Sequence, residues 1–373
     1  MHIDSDFDSG NIQLLDASDP RDIRLALRPD RASGHFQWFH FRVDGLQPGQ
    51  TYGLRITNAG QSSYPGGWPN YRTVASWDQQ DWFRVPTRYD GQNLIFEITA
   101  EQPQVWFAYF QPYTRERHAA RLRQALANGA ERLASGRSLE GREVPLLRIR
   151  RHAAPLKLWL IAQQHPGEHM AEWFMEGLIE RLQTPGDATV EQLLAHAEFY
   201  LAPNMNPDGA FHGNLRTNAA GTDLNRAWAA PNAESSPEVL FIREQMQAHG
   251  VDLFLDIHGD EAIPYVFAAG SEGNPGYSPR LAELERRFRE RLQAHGEFQS
   301  VHGYPRAAPG KANLALACNQ VGQTWDCLAF TLEMPFKDHD LAPDERNGWS
   351  AQRAKRLASA VLDSLAEMVT SLR

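Results

Sequence analysis

Hydrophobic residues in the first third of the chain fall in short runs separated by turn residues. Runs rich in aromatic and β-branched residues alternate with breaks such as Asp44-Gly45, Pro48-Gly49 and Asp90-Gly91. Short strands at this regular spacing are typical of an antiparallel β-sandwich. The predicted strands cover residues 36–43, 51–57, 81–85, 94–99 and 105–110.

Beyond residue 113 the pattern changes, and strands begin to alternate with helices. The predicted strands cover residues 144–149, 156–163, 198–205, 251–257, 265–269 and 328–334. The predicted helices cover residues 114–128, 168–183, 236–249, 278–295 and 351–372. This alternation predicts an α/β domain with a parallel or mixed sheet. We therefore expect two domains, an antiparallel β-sandwich over residues 1–115 and a mixed-sheet α/β domain over residues 116–373.

Composition narrows the classes of partner and compartment. The 373 residues carry a formal net charge of -9, which argues against nucleic acid or an anionic membrane as the main partner. Two cysteines, Cys318 and Cys327, do not form a disulfide framework, so a reducing compartment is expected. The first residues show no secretory signal, and no apolar run has the length of a membrane span. We expect a cytoplasmic protein.

Two short polar motifs adjoin apolar strand-like segments of the second domain. His165-Pro166-Gly167-Glu168 follows one such segment, and Asp256-Ile257-His258-Gly259-Asp260 ends another. In an open α/β sheet, ligands gather outside the carboxyl ends of the strands. A set of two histidines and a glutamate holds a catalytic zinc ion and leaves one coordination position open. His165, Glu168 and His258 are therefore the predicted ligands of one Zn²⁺ in the domain, although each residue taken singly has an ordinary structural explanation.

A zinc hydrolase also needs a carboxylate that takes a proton from water and returns it to the leaving amine. Glu333 is the candidate, because it lies near the end of an apolar strand, where a buried acid without a task or partner would cost stability. Arg216 and Arg226 flank a polar loop. Guanidinium groups clamp carboxylates and stabilise oxyanions. Two solvated arginines on a surface loop would account for the same spacing.

Six motifs occur in the order found in the zinc metallocarboxypeptidase family, which the chain resembles from about residue 135 onward. They are Gly136-Arg137-Ser138-Leu139-Glu140-Gly141-Arg142, His165-Pro166-Gly167-Glu168, Asn206-Pro207-Asp208-Gly209, Asp223-Leu224-Asn225-Arg226, Asp256-Ile257-His258-Gly259 and Phe330-Thr331-Leu332-Glu333. The first third resembles the amino-terminal β-sandwich of one branch of that family, the cytosolic carboxypeptidases. The segments that carry the resemblance to this branch are 46–52 and 106–114, together with 214–226 in the second domain.

This resemblance implies roles at the reacting bond and at the end of the substrate. Glu333 would be the general base and acid. Arg216 would polarise the scissile carbonyl and stabilise its oxyanion. Asn225 and Arg226 would hold the terminal carboxylate of the substrate.

Further implied roles concern the surroundings of the site. Asp223 would accept a hydrogen bond from the outer nitrogen of His165. Tyr304 is the nearest tyrosine upstream of the catalytic glutamate, where family members have a tyrosine that closes on the substrate. Arg306 and Lys311 are the candidates for a basic pocket that suits acidic terminal side chains, and a mobile basic loop accounts for them equally well.

The expected function is hydrolysis of the C-terminal peptide bond of peptides or proteins by a zinc-dependent metallocarboxypeptidase. A preference for acidic terminal residues, Glu in particular, is a further hypothesis. Two alternatives stay open at this point: a zinc-dependent deacylase or amidase acting on N-acyl amino acids, and a catalytically silent zinc-binding interaction protein. The sequence leaves the oligomeric state open.

Overall fold

The computed structural model describes residues 1–373, and two five-stranded β-sheets form its first part. One sheet contains β1 (His2–Asp4), β4 (His40–Asp44), β6 (Val74–Ser76), β7 (Trp82–Arg84) and β10 (Gln104–Ala108). The other contains β2 (Gln13–Asp16), β3 (Ile23–Ala26), β5 (Thr51–Ile56), β8 (Thr87–Tyr89) and β9 (Leu94–Thr99). All neighbouring strands are antiparallel except β3 and β5, which are parallel. The predicted N-terminal antiparallel sheets are confirmed.

The strand predicted over residues 36–43 is too long, because β4 begins only at His40. The aromatic residues before it leave the sheet and pack elsewhere. Trp38 stacks on the ring of His169 in the second domain, with 4.2 Å between the ring centroids. The apolar run that resembles a strand therefore serves partly as a contact between domains.

A seven-stranded mixed sheet forms the centre of the second domain, in the order β11-β12-β14-β13-β15-β17-β16. Its members are β11 (Glu131–Arg137), β12 (Glu143–Ile149), β13 (Leu156–Ala162), β14 (Ala197–Ala202), β15 (Leu253–Asp260), β16 (Phe267–Ala269) and β17 (Leu328–Pro335). The four central strands are mutually parallel, and the outer pairs are antiparallel. The predicted mixed-sheet α/β domain is confirmed. The boundary placed after residue 115 stays a prediction.

Eight α-helices accompany these sheets. They are α1 (Arg115–Ala127), α2 (Met170–Leu182), α3 (Ala188–His196), α4 (Pro207–His212), α5 (Pro237–His249), α6 (Pro279–His295), α7 (Ala317–Trp325) and α8 (Ala351–Ala366). The helix predicted over residues 351–372 is too long, since α8 ends at Ala366 and only a 3-10 turn, Val369–Ser371, follows. None of the helices combines the length and the apolar character needed to cross a membrane.

Helices cover both faces of the mixed sheet, as the alternation of side chains along β13 requires. Leu158 and Leu160 belong to the core that includes α2, α3, α6 and α8. Trp159 and Ile161 belong to a second core that includes α5 and α7. A strand that is buried on both faces reads as a continuous apolar run, which explains why this segment was predictable.

The larger of these cores continues without a break into the β-sandwich. Its 78 buried residues include Phe41 and Phe107 of the sandwich together with Phe174 and Phe330 of the second domain. At the junction Tyr109 stacks on Phe336, with 4.5 Å between ring centroids, and Tyr71 donates a hydrogen bond to the carbonyl of Tyr109. The two domains are therefore packed as one body.

Replacing Leu158 by Ala should destabilise the protein, because this side chain is fully buried in the central strand β13. The expected loss in the free energy of unfolding, measured by urea denaturation, is about 2–5 kcal/mol. The matched control is Leu15→Ala on β2, where the side chain is 50% exposed and the expected change is within about 0.5 kcal/mol. Equal losses in the two variants would contradict this description of the core.

Candidate zinc site

The predicted metal ligands lie at the carboxyl ends of two neighbouring parallel strands. His165 and Glu168 follow β13, and His258 lies in β15, which pairs with β13 in parallel. All three side chains are buried, and one potential ligand atom from each lies within 4.8 Å of the others. The structure therefore brings together the three residues that the sequence selected.

The inward-facing atoms of this cluster fit one zinc ion. The Nδ1 atoms of His165 and His258 are 3.2 Å apart. The Glu168 carboxylate places Oε1 2.7 Å from the first of these nitrogens and Oε2 2.8 Å from the second. A zinc–nitrogen distance of about 2.0–2.1 Å puts two ligands of a tetrahedral ion about 3.3 Å apart. The spacing of the two nitrogens and the donor types of all three residues therefore suit zinc.

Each imidazole has its outer nitrogen against a carboxylate. Nε2 of His165 lies 3.1 Å from Oδ1 of Asp223, and Nε2 of His258 lies 2.8 Å from Oδ2 of Asp256. Carboxylates in this position fix which ring nitrogen carries the proton and leave the other nitrogen free for a metal. The family resemblance implied the pair of Asp223 with His165, whereas Asp256 was missed as a functional residue.

The position of Asp256 in the sequence could have indicated its role. It is an acidic residue that directly follows a run of apolar strand residues, two residues before His258. It is fully buried, which is costly for a carboxylate without partners. Gln164 supplies one partner, since its Nε2 donates to Oδ2 of Asp256 at 2.7 Å. Gln164 is held in turn by Trp228, whose indole Nε1 donates to Oε1 of Gln164 at 2.8 Å. These contacts hold Asp256 in place, and Asp256 in turn fixes the orientation of the His258 ring.

Charge pairing outweighs burial at the carboxylates of the cluster. Burial opposes ionisation of Glu168, but His165 and His258 lower its pKa to about 2. Burial also opposes ionisation of Asp223, whose pKa is nevertheless held well below its usual range by His165 and Arg216. The direction of both pKa shifts therefore favours the ionised carboxylates.

Glu333 lies beside the ligand cluster, opposite His258 in the register of β15 and β17. It is 4% exposed, and burial raises the pKa of its carboxyl well above the usual value, while the charge of His258 opposes that rise. Oε1 accepts a hydrogen bond from the Tyr304 hydroxyl at 3.2 Å, and that hydroxyl also lies 2.7 Å from Oδ2 of Asp260. Oε2 is buried without a hydrogen-bond partner. A buried carboxyl group with a raised pKa and a free oxygen beside the ligand cluster suits proton transfer, in which the group accepts a proton and gives it back.

The polar loop after α4 carries the predicted arginines. Nε of Arg216 donates to Oδ2 of Asp223 at 2.8 Å, and its guanidinium carbon lies 5.6 Å from the ring centroid of Tyr64. Asn225 is buried, and its side-chain oxygen accepts a hydrogen bond from the first backbone amide of α7 at 2.9 Å. Arg226 is 48% exposed and donates to the carbonyl of Asn225. Tyr64 belongs to the sandwich, and sequence reasoning did not place it near the site.

Tyr304, Arg306 and Lys311 line a cavity of about 480 Å³ that reaches β17. Arg306 is 70% exposed and lies 3.3 Å from the carboxylate of Glu272. Arg289 approaches the same Glu272 oxygen at 3.3 Å. The structure thus places all three predicted residues at one cavity, although only Tyr304 reaches Glu333.

Three features of the site are those expected of a metallocarboxypeptidase: the cavity beside Tyr304, the loop that carries Arg216 and Arg226 (the arginine loop), and the cluster of metal-ligand residues. Comparison with known proteins agrees. A sequence profile described as the cytosolic carboxypeptidase N-terminal domain matches residues 3–110. A profile described as zinc carboxypeptidase matches residues 116–348. The chain therefore belongs to the zinc carboxypeptidase family, and the family expected from the sequence motifs is confirmed.

Individual relatives support the same assignment. An uncharacterised protein of Zymomonas mobilis is 46% identical over 376 residues, which cover 100% of this chain and 97% of that protein. Cytosolic carboxypeptidase 1 of Mus musculus is 26% identical over 72% of this chain, and the match spans 26% of the mouse protein. A solved metallo-carboxypeptidase from Pseudomonas aeruginosa, in complex with (2-guanidinoethylmercapto)succinic acid, is 65% identical with a TM-score of 0.99 and full coverage of both chains.

Replacing His258 by Ala should abolish stoichiometric zinc binding, because it removes one of three converging donors. The measurement is the zinc content of the purified protein after dialysis, determined by atomic spectroscopy. The matched control is His302→Ala, since this exposed imidazole only stacks on Tyr265 and should leave the zinc content unchanged. A full equivalent of zinc in the His258 variant would contradict the assigned ligand set.

Proposed function

We propose that the protein is a zinc-dependent metallocarboxypeptidase that removes the last residue from peptide or protein C-termini. The observation that carries this proposal is a buried His–Glu–His cluster next to a buried glutamate with one free carboxylate oxygen. Membership of the zinc carboxypeptidase family supports the same reaction. A cytoplasmic location is part of the proposal, because relatives are named cytosolic carboxypeptidases.

The metal-ligand residues and Glu333 have different roles at the scissile bond. His165, Glu168 and His258 hold the zinc ion. When bound, zinc supplies a Lewis acid for the carbonyl and lowers the pKa of a coordinated water to about 7. Glu333 accepts the proton of the attacking water at its free oxygen and passes it to the leaving amine.

The arginine loop binds the charges of the substrate. Arg216 stabilises the negative charge that develops on the scissile carbonyl oxygen. Asn225 and Arg226 bind the terminal carboxylate, and the guanidinium of Arg226 is half-exposed, as contact with a substrate requires. Asp223 supports both functions because it accepts a hydrogen bond from Arg216 and lies 3.9 Å from Nη1 of Arg226. Tyr304, with its hydroxyl already at Glu333, closes over the bound peptide end.

Replacing Glu333 by Gln should leave the zinc content intact and lower kcat on peptide substrates by about 10²–10⁴-fold, because the variant cannot accept the proton. Release of the terminal amino acid measures the rate. The matched control is Glu345→Gln, a change of the same type at an 89% exposed side chain, which should keep full turnover.

Near-full turnover in Glu333→Gln would show that the assigned base is wrong. N-acyl amino acids serve as contrasting substrates in the same assay. Hydrolysis confined to those compounds would favour a deacylase over a carboxypeptidase.

We further propose that the enzyme prefers acidic terminal residues, Glu in particular. The cavity beside β17 contains three cationic side chains, Arg289, Arg306 and Lys311, and one acid, Glu272. Glu272 is paired with both arginines at 3.3 Å, whereas Lys311 makes no ion pair. The lining therefore has a positive excess, and Lys311 is the cation available to a terminal carboxylate side chain.

Peptides that differ only in a final Glu, Gln, Phe or Lys test this preference. The wild-type enzyme should show its highest kcat/KM with Glu. Lys311→Met should lower the Glu-to-Gln ratio by up to about fivefold, the range expected for an exposed charge pair. The uncharged Gln peptide is the internal control and should be unaffected. A preference for Lys or Phe ends would exclude an acid-selective pocket.

A further inference from the structure

One buried carboxylate of the β-sandwich binds the loop that carries Arg216. Asp30 lies between β3 and β4 and is 3% exposed. Its Oδ1 accepts a hydrogen bond from the backbone N–H of Leu215 at 2.6 Å. Its Oδ2 accepts from the backbone N–H groups of Arg216 at 3.0 Å and Thr217 at 2.9 Å, and from the Thr217 hydroxyl at 2.9 Å. One side chain of the first domain therefore satisfies three consecutive amides of the second.

Further contacts from the sandwich fix both ends of the same loop. Nδ2 of Asn11 donates to the carbonyl of Gly213 at 2.8 Å, and the backbone N–H of Arg31 donates to Oδ1 of Asn214 at 3.1 Å. A Cβ on Gly213 would lie 2.7 Å from backbone oxygens of the sandwich, and one on Gly221 would lie 2.2 Å from another. The backbone of the loop at both glycines therefore packs directly against the sandwich, with no space for a side chain.

The loop that Asp30 holds leads directly to the ligand cluster. Arg216 donates to Oδ2 of Asp223, and Oδ1 of the same carboxylate lies 3.1 Å from Nε2 of His165. The ring of Tyr64 lies against the other side of the arginine at 5.6 Å. A guanidinium stabilises a developing oxyanion well only when it is aimed in advance. Here the orientation of the Arg216 guanidinium depends on residues of both domains.

Contacts outside this loop already join the two domains. Nη1 of Arg84 lies 3.0 Å from Oδ2 of Asp338, and Nζ of Lys337 donates to a sandwich carbonyl at 3.0 Å. Asp30 differs from these, because each of its four hydrogen bonds comes from Arg216 or one of its immediate neighbours. Its contacts are therefore concentrated on one functional loop.

We propose that Asp30 is a positioning residue for catalysis, which sets the backbone of residues 215–217 so that the Arg216 guanidinium meets the scissile carbonyl. Asp30 acts through Arg216 and does not touch the substrate. The inference rests on the role proposed above for Arg216. With this role of Asp30, the β-sandwich contributes directly to the arrangement of the active site.

The variant Asp30→Asn tests this inference, because it keeps the size of the side chain and replaces one acceptor oxygen by a donor. We expect kcat to fall roughly 10-fold to 100-fold with little change in KM, since a group needed in the transition state is displaced. Zinc content should stay at the wild-type level. The matched control is Asp22→Asn, a sandwich aspartate that pairs with Arg24 and Arg55, and it should keep wild-type kcat.

A double-mutant cycle separates positioning from general stability. In an Arg216→Ala background, Asp30→Asn should cause no further loss of kcat, because the group that it positions is absent. The same fold-loss in both backgrounds would overturn the inference, as would wild-type kcat in Asp30→Asn. Full turnover in Arg216→Ala alone would instead refute the role of Arg216 in the proposed function, and the inference would fall with it.

Thr217→Val provides a milder variant if Asp30→Asn does not fold. It removes the hydroxyl that donates to Asp30 and that also lies 3.1 Å from the Ser33 hydroxyl, and it leaves the three backbone donors to Asp30 in place. A few-fold loss of kcat that disappears in the Arg216→Ala background would support the positioning role. Wild-type kcat in Thr217→Val, together with an unfolded Asp30→Asn, would assign Asp30 to folding alone and overturn the inference.

Discussion

Parallel pairing of β13, β15 and β17 is the constraint on which the site depends. The register places Ala162 opposite Ile257 and His258 opposite Glu333, so the carboxyl ends of the three strands share one edge. Histidines that are 93 residues apart in the chain therefore come within 3.2 Å. Burial on both faces secures this register, because a one-residue slip would exchange the side chains of the two cores and disrupt the close packing of both. The chemistry is thus held by the packing of the sheet and not by the loops alone.

The central strands and the metal-ligand residues were predictable for related physical reasons. A strand covered on both faces needs a continuous apolar run, and the predictions of 156–163 and 328–334 match Leu156–Ala162 and Leu328–Pro335 within one residue at each end. Polar residues directly after such runs lie at the edge where ligands gather. His165 and Glu168 follow from that argument without the family resemblance.

Two of the elements that were not predicted, β2 and α4, lack such a signal. β2 is exposed at all four positions, so it shows no alternation, and α4 is only six residues long. Asp256 belongs to the same polar motif as His258, but the sequence does not show that its buried carboxylate lies against Gln164 and the outer nitrogen of His258. The contact of Asp30 with the Arg216 loop spans 186 residues, and no local pattern indicates it. Relations between distant loops appear only when the domains are packed together.

The continuous apolar core has a consequence for how this protein can have changed over time. A β-sandwich whose aromatic residues stack directly on the second domain, as Tyr109 does on Phe336, is not a module that can be exchanged freely. Each half on its own would expose a large apolar surface, and such a surface favours aggregation. Within this protein, the shared interior therefore favours keeping the two halves together. A change of side-chain size on one side of the junction alters the packing of the other side.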